Sequence, residues 1–357
     1  MYLRTMQVDV LIIGQGICGT MLSWFLHKEG KRFVVVDNAN PIAASKVAAG
    51  IINPVTGRRY VTTWMIEEVM PFAKAVYEEA STQLNTELIQ PKSVIDFFPT
   101  PQMLHAFVER VKEDDTYLHS FPDQNHFNQH FNYDFGCGEI KPAYIIHISS
   151  LLASWRKMLS DKSLLLAEEF RLQDLEVGID SIRFGDVKAD KIIFCDGADG
   201  FANPWFSLLP FAPNKGEALI IKCEGLSNEH IFKRGLTLAP LPEPHTFWVG
   251  SNYQWEFSDD KPSQDFYKST TQHLSNWLKK PYEVLGHKAS IRPATLERRP
   301  FVGFHPQFPN IGILNGMGTK GASLAPYFAN QLSQYIVHGL PIADDADVQR
   351  FRGILSR

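Results

Sequence analysis

The feature that most constrains this chain is an apolar strand running into a glycine turn. Val8 to Ile13 reads V-D-V-L-I-I, a short run rich in β-branched residues, which suits a strand buried on both faces. Gly14, Gly16 and Gly19 follow at G-x-G-x-x-G spacing. Met21 to Lys28 reads as a helix stopped by Gly30, and a second apolar run, Phe33 to Val36, ends at Asp37. Strand, glycine turn, helix, strand and acid, in that order, are what a dinucleotide-binding βαβ unit requires. Gly14 permits the tight turn, Gly16 lets backbone approach a pyrophosphate, and Gly19 lets the helix pack close to the strand. The helix N-terminus points its free N–H groups at the phosphates. The Asp37 carboxylate is placed to accept hydrogen bonds from a ribose diol.

A chain of 357 residues can bury a large core and is expected to hold two domains. Its formal charge of −4 offers no global basic field, so no nucleic-acid partner is expected. Cys18, Cys137, Cys195 and Cys223 are far apart and form no C-x-x-C pair. That argues against a disulfide framework or a zinc site and fits a reducing compartment. No apolar run is long enough to span a bilayer, and the chain enters its first strand without a signal-like stretch. A cytoplasmic protein without bound metal is the resulting expectation.

Further along, Ala43 to Gly50 (A-A-S-K-V-A-A-G) carries few bulky groups, so backbone there can lie against a flat ligand. Helices are expected over Val61–Leu84, with a break or bend near Pro71, and over Met103–Lys112, Ser149–Ser160, Ser263–Leu278 and Ala322–Val337. Ser149 and Ser150 are the candidate caps of the third of these. Strands are expected over Thr86–Pro99, Glu139–Ile148, Leu164–Ala167, Lys191–Cys195 and Ile311–Leu314, with three more between Gly216 and Trp255 suggesting an antiparallel sheet. The stretch Tyr117–Phe135, with His126 and His130 four apart, reads as a polar surface loop in preference to a metal site. The α/β signals thus fall at the beginning, middle and end. They imply a nucleotide domain built from 1–59, 144–211 and 291–357, and a substrate domain built from 60–143 and 212–290.

Four places carry a resemblance to a known family. They are G-Q-G-I-C-G with Asp37; Ser45 followed by Ala49-Gly50-Ile51; the strand end I-I-F-C-D-G-A-D-G; and R-P-A-T-L-E-R-R-P-F-V-G (Arg292 to Gly303) followed by N-G-M-G-T-K-G (Asn315 to Gly321). Together they resemble the FAD-dependent amine oxidoreductases that include D-amino-acid oxidase, glycine oxidase and monomeric sarcosine oxidase. Asp196 departs from the family's A-x-G at the third place, while Gly197 keeps the turn. Met317 stands where sarcosine oxidase has His in G-H-G-F-K.

The resemblance implies an α/β (α+β overall) protein: a three-layer Rossmann-like FAD-binding domain and a second domain with a mixed, largely antiparallel sheet. It implies FAD on Gly14, Gly16, Ile17, Cys18, Gly19 and Asp37, with Phe170 against the adenine and Gly197 at the second turn. The isoalloxazine would lie near Ser45, Ala49, Gly50, Gly316, Gly318, Thr319 and Lys320. Arg292 stands near the position where sarcosine-oxidase-like members carry a flavin-tethering cysteine, so the FAD is expected to be non-covalent.

Arg292 and Lys320 are the catalytic candidates, holding the carboxylate of a small amine or amino-acid substrate. A guanidinium does so through two parallel bonds, an ammonium as a point charge. Which of the two holds it is open, as is a solvent-facing Arg292. Arg298 and Arg299 read as surface charges; Arg58 and Arg59 are further candidates to line the site. Only one G-x-G-x-x-G unit is present, so no second nucleotide site is visible. Electrons would therefore pass to oxygen or a protein carrier. The expected reaction is oxidation of a C–N bond by hydride transfer to the flavin, then imine hydrolysis. Two alternatives stay open: an FAD-dependent hydroxy-acid dehydrogenase, and a flavoprotein module of tRNA modification, against which the acidic balance counts.

Overall fold

Val8, Val10, Leu11, Ile12 and Ile13 are all buried, so the first strand, Met6–Ile13, has protein on both faces. The computed structural model describes residues 6–178 and 181–357. The chain divides into two units, Met1–Ala48 with Ile148–Asn214 and Ile291–Arg357, and Ala49–His147 with Lys215–Ser290.

In the first unit, Met6–Ile13 lies between two parallel neighbours, Phe33–Val36 and Val187–Phe194, with Ile13 level with both Val36 and Phe194. Three strands therefore end at one level, and the chain leaves them at Gly14, Asp37 and Cys195. Ile311–Asn315 adds a fourth parallel strand, with Ile313 level with Phe194, and carries Phe301–Phe304 antiparallel on its far side. Alternation splits the strand side chains between two layers. Leu11, Ile13, Val34, Val36, Phe194 and Ile313 join Phe206 and Phe351 in one core. Against the opposite face the helix Ile17–Lys28 is buried from Ile17 to Leu26. Gly321 opens the helix Gly321–His338 beside it, and a Cβ at that glycine would meet Ile17 Cγ2 at 3.3 Å. The indole of Trp155, on the helix Ile148–Asp161, donates to Ser23 Oγ at 2.8 Å.

The second unit is built on a nine-stranded sheet. Its order is Glu283–Arg292, Asn214–Lys222, Thr246–Gly250, Leu236–Pro240, His230–Arg234, Ile89–Phe97, Cys137–Ile146 and Ile51–Ile52, with Leu118–Ser120 also on Cys137–Ile146. Ile95 and Phe97 face one core with Phe127, Phe131, Phe232 and Trp277, while Val94 and Phe98 face another with Tyr60, Phe107 and Ile140.

Several expectations change. Residues 49–59 belong with the second unit, because Ile51 and Ile52 pair with Ile145 and Tyr144. Residues 144–147 stay with it too, since the strand runs to Ile146 and the His147 amide bonds the Leu88 carbonyl. Residues 212–214 fall in the first unit, where the Ala212 amide donates to Ala294 O at 2.7 Å. The helix expected from Val61 begins at Ile66, after a hairpin of Val55–Thr56 with Val61–Thr62, and continues through Pro71 to Leu84. Helix Ile148–Asp161 starts one residue before Ser149. The buried Ile148 anchors its first turn, so the two serines are not its caps. The region after Gly216 holds four strands in place of three; His230–Arg234 pairs parallel with Ile89–Phe97, so the sheet is mixed as the resemblance implies. The stretch Tyr117–Phe135 is half core: Phe127 and Phe131 bury themselves against Phe97, Phe232 and Trp277.

Candidate cofactor and substrate site

The glycines of the first turn serve different ends. Gly14 has φ +95°, and a Cβ there would lie 2.5 Å from the Cys195 carbonyl oxygen. A Cβ at Gly19 would collide with the Gly14 carbonyl oxygen. Both are demanded by packing within the fold. Gly16 is not: it is extended at φ −71°, and a Cβ there would meet only Ser45 Oγ, at 3.3 Å. The fold leaves space in front of Gly16 that a side chain would fill, as expected where a diphosphate lies against backbone.

Ser45 turns its hydroxyl to this place and accepts the Ile17 amide at 3.0 Å. The helix that Ile17 opens carries no acid in its own first turn. Cys18 follows with a buried side chain whose thiol is pushed up to about 12 by burial. It can offer backbone, not a thiolate.

Asp37 sits at the level end of the second strand. Its Oδ2 accepts the Gln15 amide at 2.9 Å, and its Oδ1 accepts the Ala39 amide at 2.8 Å. Oδ1 also accepts Arg156 Nη1 at 2.6 Å, an ion pair shielded on both sides. Nothing in the sequence singles out Arg156, which lies far from Asp37 in the chain. The one available sign is its position four after Leu152, on the flank of the helix's buried stripe Leu151, Leu152, Trp155 and Leu159.

At the third strand end, Asp196 occupies the place where the resemblance called for a small residue. Asn315 Nδ2 donates to its Oδ1 at 3.0 Å and Asn203 Nδ2 to its Oδ2 at 3.2 Å. Burial pushes the carboxyl up to about 6 against the pull of these donors. Gly197 follows at φ +58° with no atom within 4 Å of where a Cβ would stand. Phe170 is packed on the core of this unit, stacked on Phe184 at 5.3 Å and edge-on to Phe194 at 5.8 Å, which puts it beside the same strand end.

Arg292 ends the strand Glu283–Arg292, half-buried, and its Nη1 donates to Asn214 Oδ1 at 2.7 Å. The Gly318 amide donates to Pro293 O at 3.0 Å, and a Cβ at Gly316 (φ +81°) would press on Thr295 Cγ2 at 2.7 Å. The loops that carry Arg292 and Lys320 therefore lie side by side. Lys320 is half-buried at the start of helix Gly321–His338, and Thr319 before it is exposed. Burial, with the like charges of Arg299 and Arg298, lowers the Lys320 ammonium below the ordinary lysine range. Arg298 is exposed and Arg299 partly so, its amide bonded to Thr295 Oγ1 at 3.1 Å.

Ala49 and Gly50 belong to the second unit. Gly50 has φ +71°, and a Cβ there would collide with the Ile146 carbonyl oxygen, so sheet packing alone demands this glycine. Ala49 packs on the core that holds Tyr60 and Phe98. Arg58 and Arg59 are exposed at the tip of the Val55–Thr62 hairpin in the same unit. Among the described residues, no three His, Cys, Asp or Glu side chains gather as a metal site, and no helix is long and apolar enough to cross a membrane.

Residues 9–335 match the family described as DAO: FAD dependent oxidoreductase. The chain belongs to this FAD-dependent oxidoreductase family. A glycine oxidase of Pseudomonas aeruginosa is 21% identical over 359 residues, covering 96% of this chain and 98% of that protein. A glycine oxidase of Pseudomonas putida is 26% identical over 167 residues, 45% of this chain and 46% of that one. Among solved structures, glycine oxidase from Geobacillus kaustophilus superposes with a TM-score of 0.79 at 16% identity, over 95% of this chain and 96% of that one. Iminodiacetate oxidase from Chelativorans sp. BNC1 gives 0.76 at 18% identity, over 93% and 96%. The cofactor of this DAO-family enzyme is FAD. The uncovered Gly16 backbone and the acid-free helix N-terminus fit a bound dinucleotide.

Proposed function

We propose that this DAO-family enzyme oxidises the C–N bond of a small amine or amino acid that carries a carboxylate, with non-covalent FAD on the first unit. Gly14, Gly16, Ile17, Cys18, Gly19, Ser45 and Asp37 would hold the adenosine diphosphate half. Gly197 and the segment Gly316, Gly318 and Thr319 would carry the flavin half. When bound, the flavin supplies the acceptor for a hydride from the carbon bearing the amine, and water then hydrolyses the imine product.

The observation that carries the reading is the Gly318 to Pro293 hydrogen bond, which joins the Arg292 loop to the Lys320 loop. It supports a pair of cations serving one anion. Arg292 is oriented by the Asn214 side chain, whose Oδ1 accepts its Nη1 at 2.7 Å, and a planar guanidinium fork matches a carboxylate through two parallel bonds. Lys320, with its charge opposed by Arg298 and Arg299, gains from an anion that relieves the repulsion. The names of the glycine oxidases matched along the chain favour an amino-acid substrate over a hydroxy acid.

Anaerobic mixing with a panel of small amino acids, N-substituted amino acids and the matching hydroxy acids tests the proposal. Bleaching of the flavin band by at least one amino compound is expected. Bleaching by hydroxy acids alone would replace the proposal with a hydroxy-acid dehydrogenase.

A further inference from the structure

Arg156 lies on the helix Ile148–Asp161, and one guanidinium reaches three groups at the ends of two strands. Its Nη1 donates to Asp37 Oδ1 at 2.6 Å and to Gln15 Oε1 at 3.2 Å, and its Nη2 donates to the Asp37 carbonyl at 3.0 Å. Gln15 is itself the residue between Gly14 and Gly16, and its amide donates to the other Asp37 oxygen at 2.9 Å. The Gln15 side-chain amide continues to the Leu152 carbonyl at 3.0 Å and to Thr20 Oγ1 at 3.2 Å. Trp155, the neighbour of Arg156, pins the same helix to Ser23. The arrangement ties the glycine turn, the acid and the helix into one unit.

We infer that Arg156 is a cofactor-positioning residue for the adenosine half of FAD, acting through Asp37. The reasoning is electrostatic and geometric. A carboxylate beside a bound diphosphate is repelled by it, and Arg156 offsets that charge from the protein side. Arg156 and Ala39 together occupy Oδ1, while Oδ2 accepts a single protein donor and can accept a second from a hydroxyl. The guanidinium bonds both the Asp37 side chain and its own carbonyl. It thereby fixes the rotation of the carboxylate in addition to balancing its charge, which a flexible ammonium does less well.

This inference rests on the proposed placement of the adenosine ribose at Asp37, so the test separates the two. FAD, FMN and ADP are titrated into the full-length flavin-free protein, following flavin fluorescence and calorimetry. FMN lacks the adenosine half and ADP lacks the flavin. Arg156→Met is expected to weaken FAD and ADP by about 10- to 100-fold, the range of a charge-assisted hydrogen bond, and to leave FMN unchanged. Arg156→Lys, which keeps the charge, is expected to fall between, and it decides the matter by the same ratio if Arg156→Met does not fold. A parallel loss of FMN affinity would show a merely structural role and overturn the inference. So would unchanged FAD and ADP affinity in the Arg156 variants alongside a loss in Asp37→Asn. Unchanged FAD affinity in Asp37→Asn itself would remove the ribose placement, and the inference with it.

Discussion

The amide of Gly318 donates to the carbonyl oxygen of Pro293 at 3.0 Å, and through that bond two segments distant in sequence present Arg292 and Lys320 from adjacent loops. Gly318 has φ +55°, a conformation that costs a side-chain-bearing residue energy, and Ala294 lies 3.5 Å from where its Cβ would be. The glycine therefore serves the close approach of the two loops.

Arg292→Lys keeps the charge and loses the planar fork. If the arginine binds a carboxylate through two bonds, kcat/KM for the amino-acid substrate falls by about 1.5–3 kcal/mol, on the order of ten- to a hundredfold, with the flavin spectrum unchanged. Steady-state kinetics beside a flavin absorbance spectrum read both. Because Lys320 is held below its ordinary pKa, KM should rise with pH earlier than an ordinary lysine would cause, as the ammonium loses its proton. Wild-type turnover in Arg292→Lys would show that the fork is not used.

Gly16→Ala and Gly19→Ala should separate cofactor binding from folding. A methyl at Gly16 meets only the Ser45 hydroxyl at 3.3 Å, so the flavin-free protein should keep its melting temperature and lose FAD affinity. A methyl at Gly19 runs into backbone, so that variant should lose soluble yield or melt far lower. Calorimetry on the flavin-free proteins, followed by FAD titration, measures each. Equal damage to folding in both variants would contradict the distinction.

Asp196 gives a pH signature. Its carboxyl is raised to about 6 in the fold from an ordinary 3.8, so ionisation costs folding stability. That cost is absent below the ordinary value, grows as pH rises between the two, and is constant above about 6. Asp196→Asn removes the titration. The melting temperature of the variant relative to wild type should therefore increase as pH goes from about 4 to about 6 and then level off. A flat difference across that window would show that Asp196 ionises freely.

Glu217 is fully buried in the second unit. Its Oε2 accepts the Ser263 amide at 2.6 Å and its Oε1 the Ser263 hydroxyl at 2.7 Å, with His287 Nε2 3.0 Å from Oε2. Glu217→Ala strands these partners and should cost about 3–5 kcal/mol, read as an earlier urea midpoint. A loss below about 1 kcal/mol would show that water replaces the carboxylate.

The first βαβ unit was legible because its signals are local: a β-branched run, glycines at fixed spacing and an acid at the next strand end all lie between Val8 and Asp37. The motif pairs near Arg292 and Lys320 were legible for the same reason, although the bond that joins them was not. Arg156 was invisible because its meaning arises only when the helix Ile148–Asp161 docks beside the glycine turn, a relation that no spacing rule encodes. Residues 49–59 were misplaced because Ile51–Ile52 is too short to read as a strand; its partner, Cys137–Ile146, decides where it belongs. At Gly50, where the small-residue stretch suggests a ligand surface, the structure adds a packing reason for the glycine: a Cβ would strike the Ile146 carbonyl. The Phe127 and Phe131 pair was hidden among polar neighbours, and only the far strands with Phe97 and Phe232 reveal it as core.

The most direct test of the account is anaerobic reduction of the purified full-length protein. Its flavin should be released to the supernatant by acid, and the flavin band of the intact protein should bleach on addition of a small amino acid such as glycine or an N-substituted relative, with the ketoacid or aldehyde product and free amine recovered. Flavin retained in the acid pellet, or a band that responds only to hydroxy acids, would contradict it.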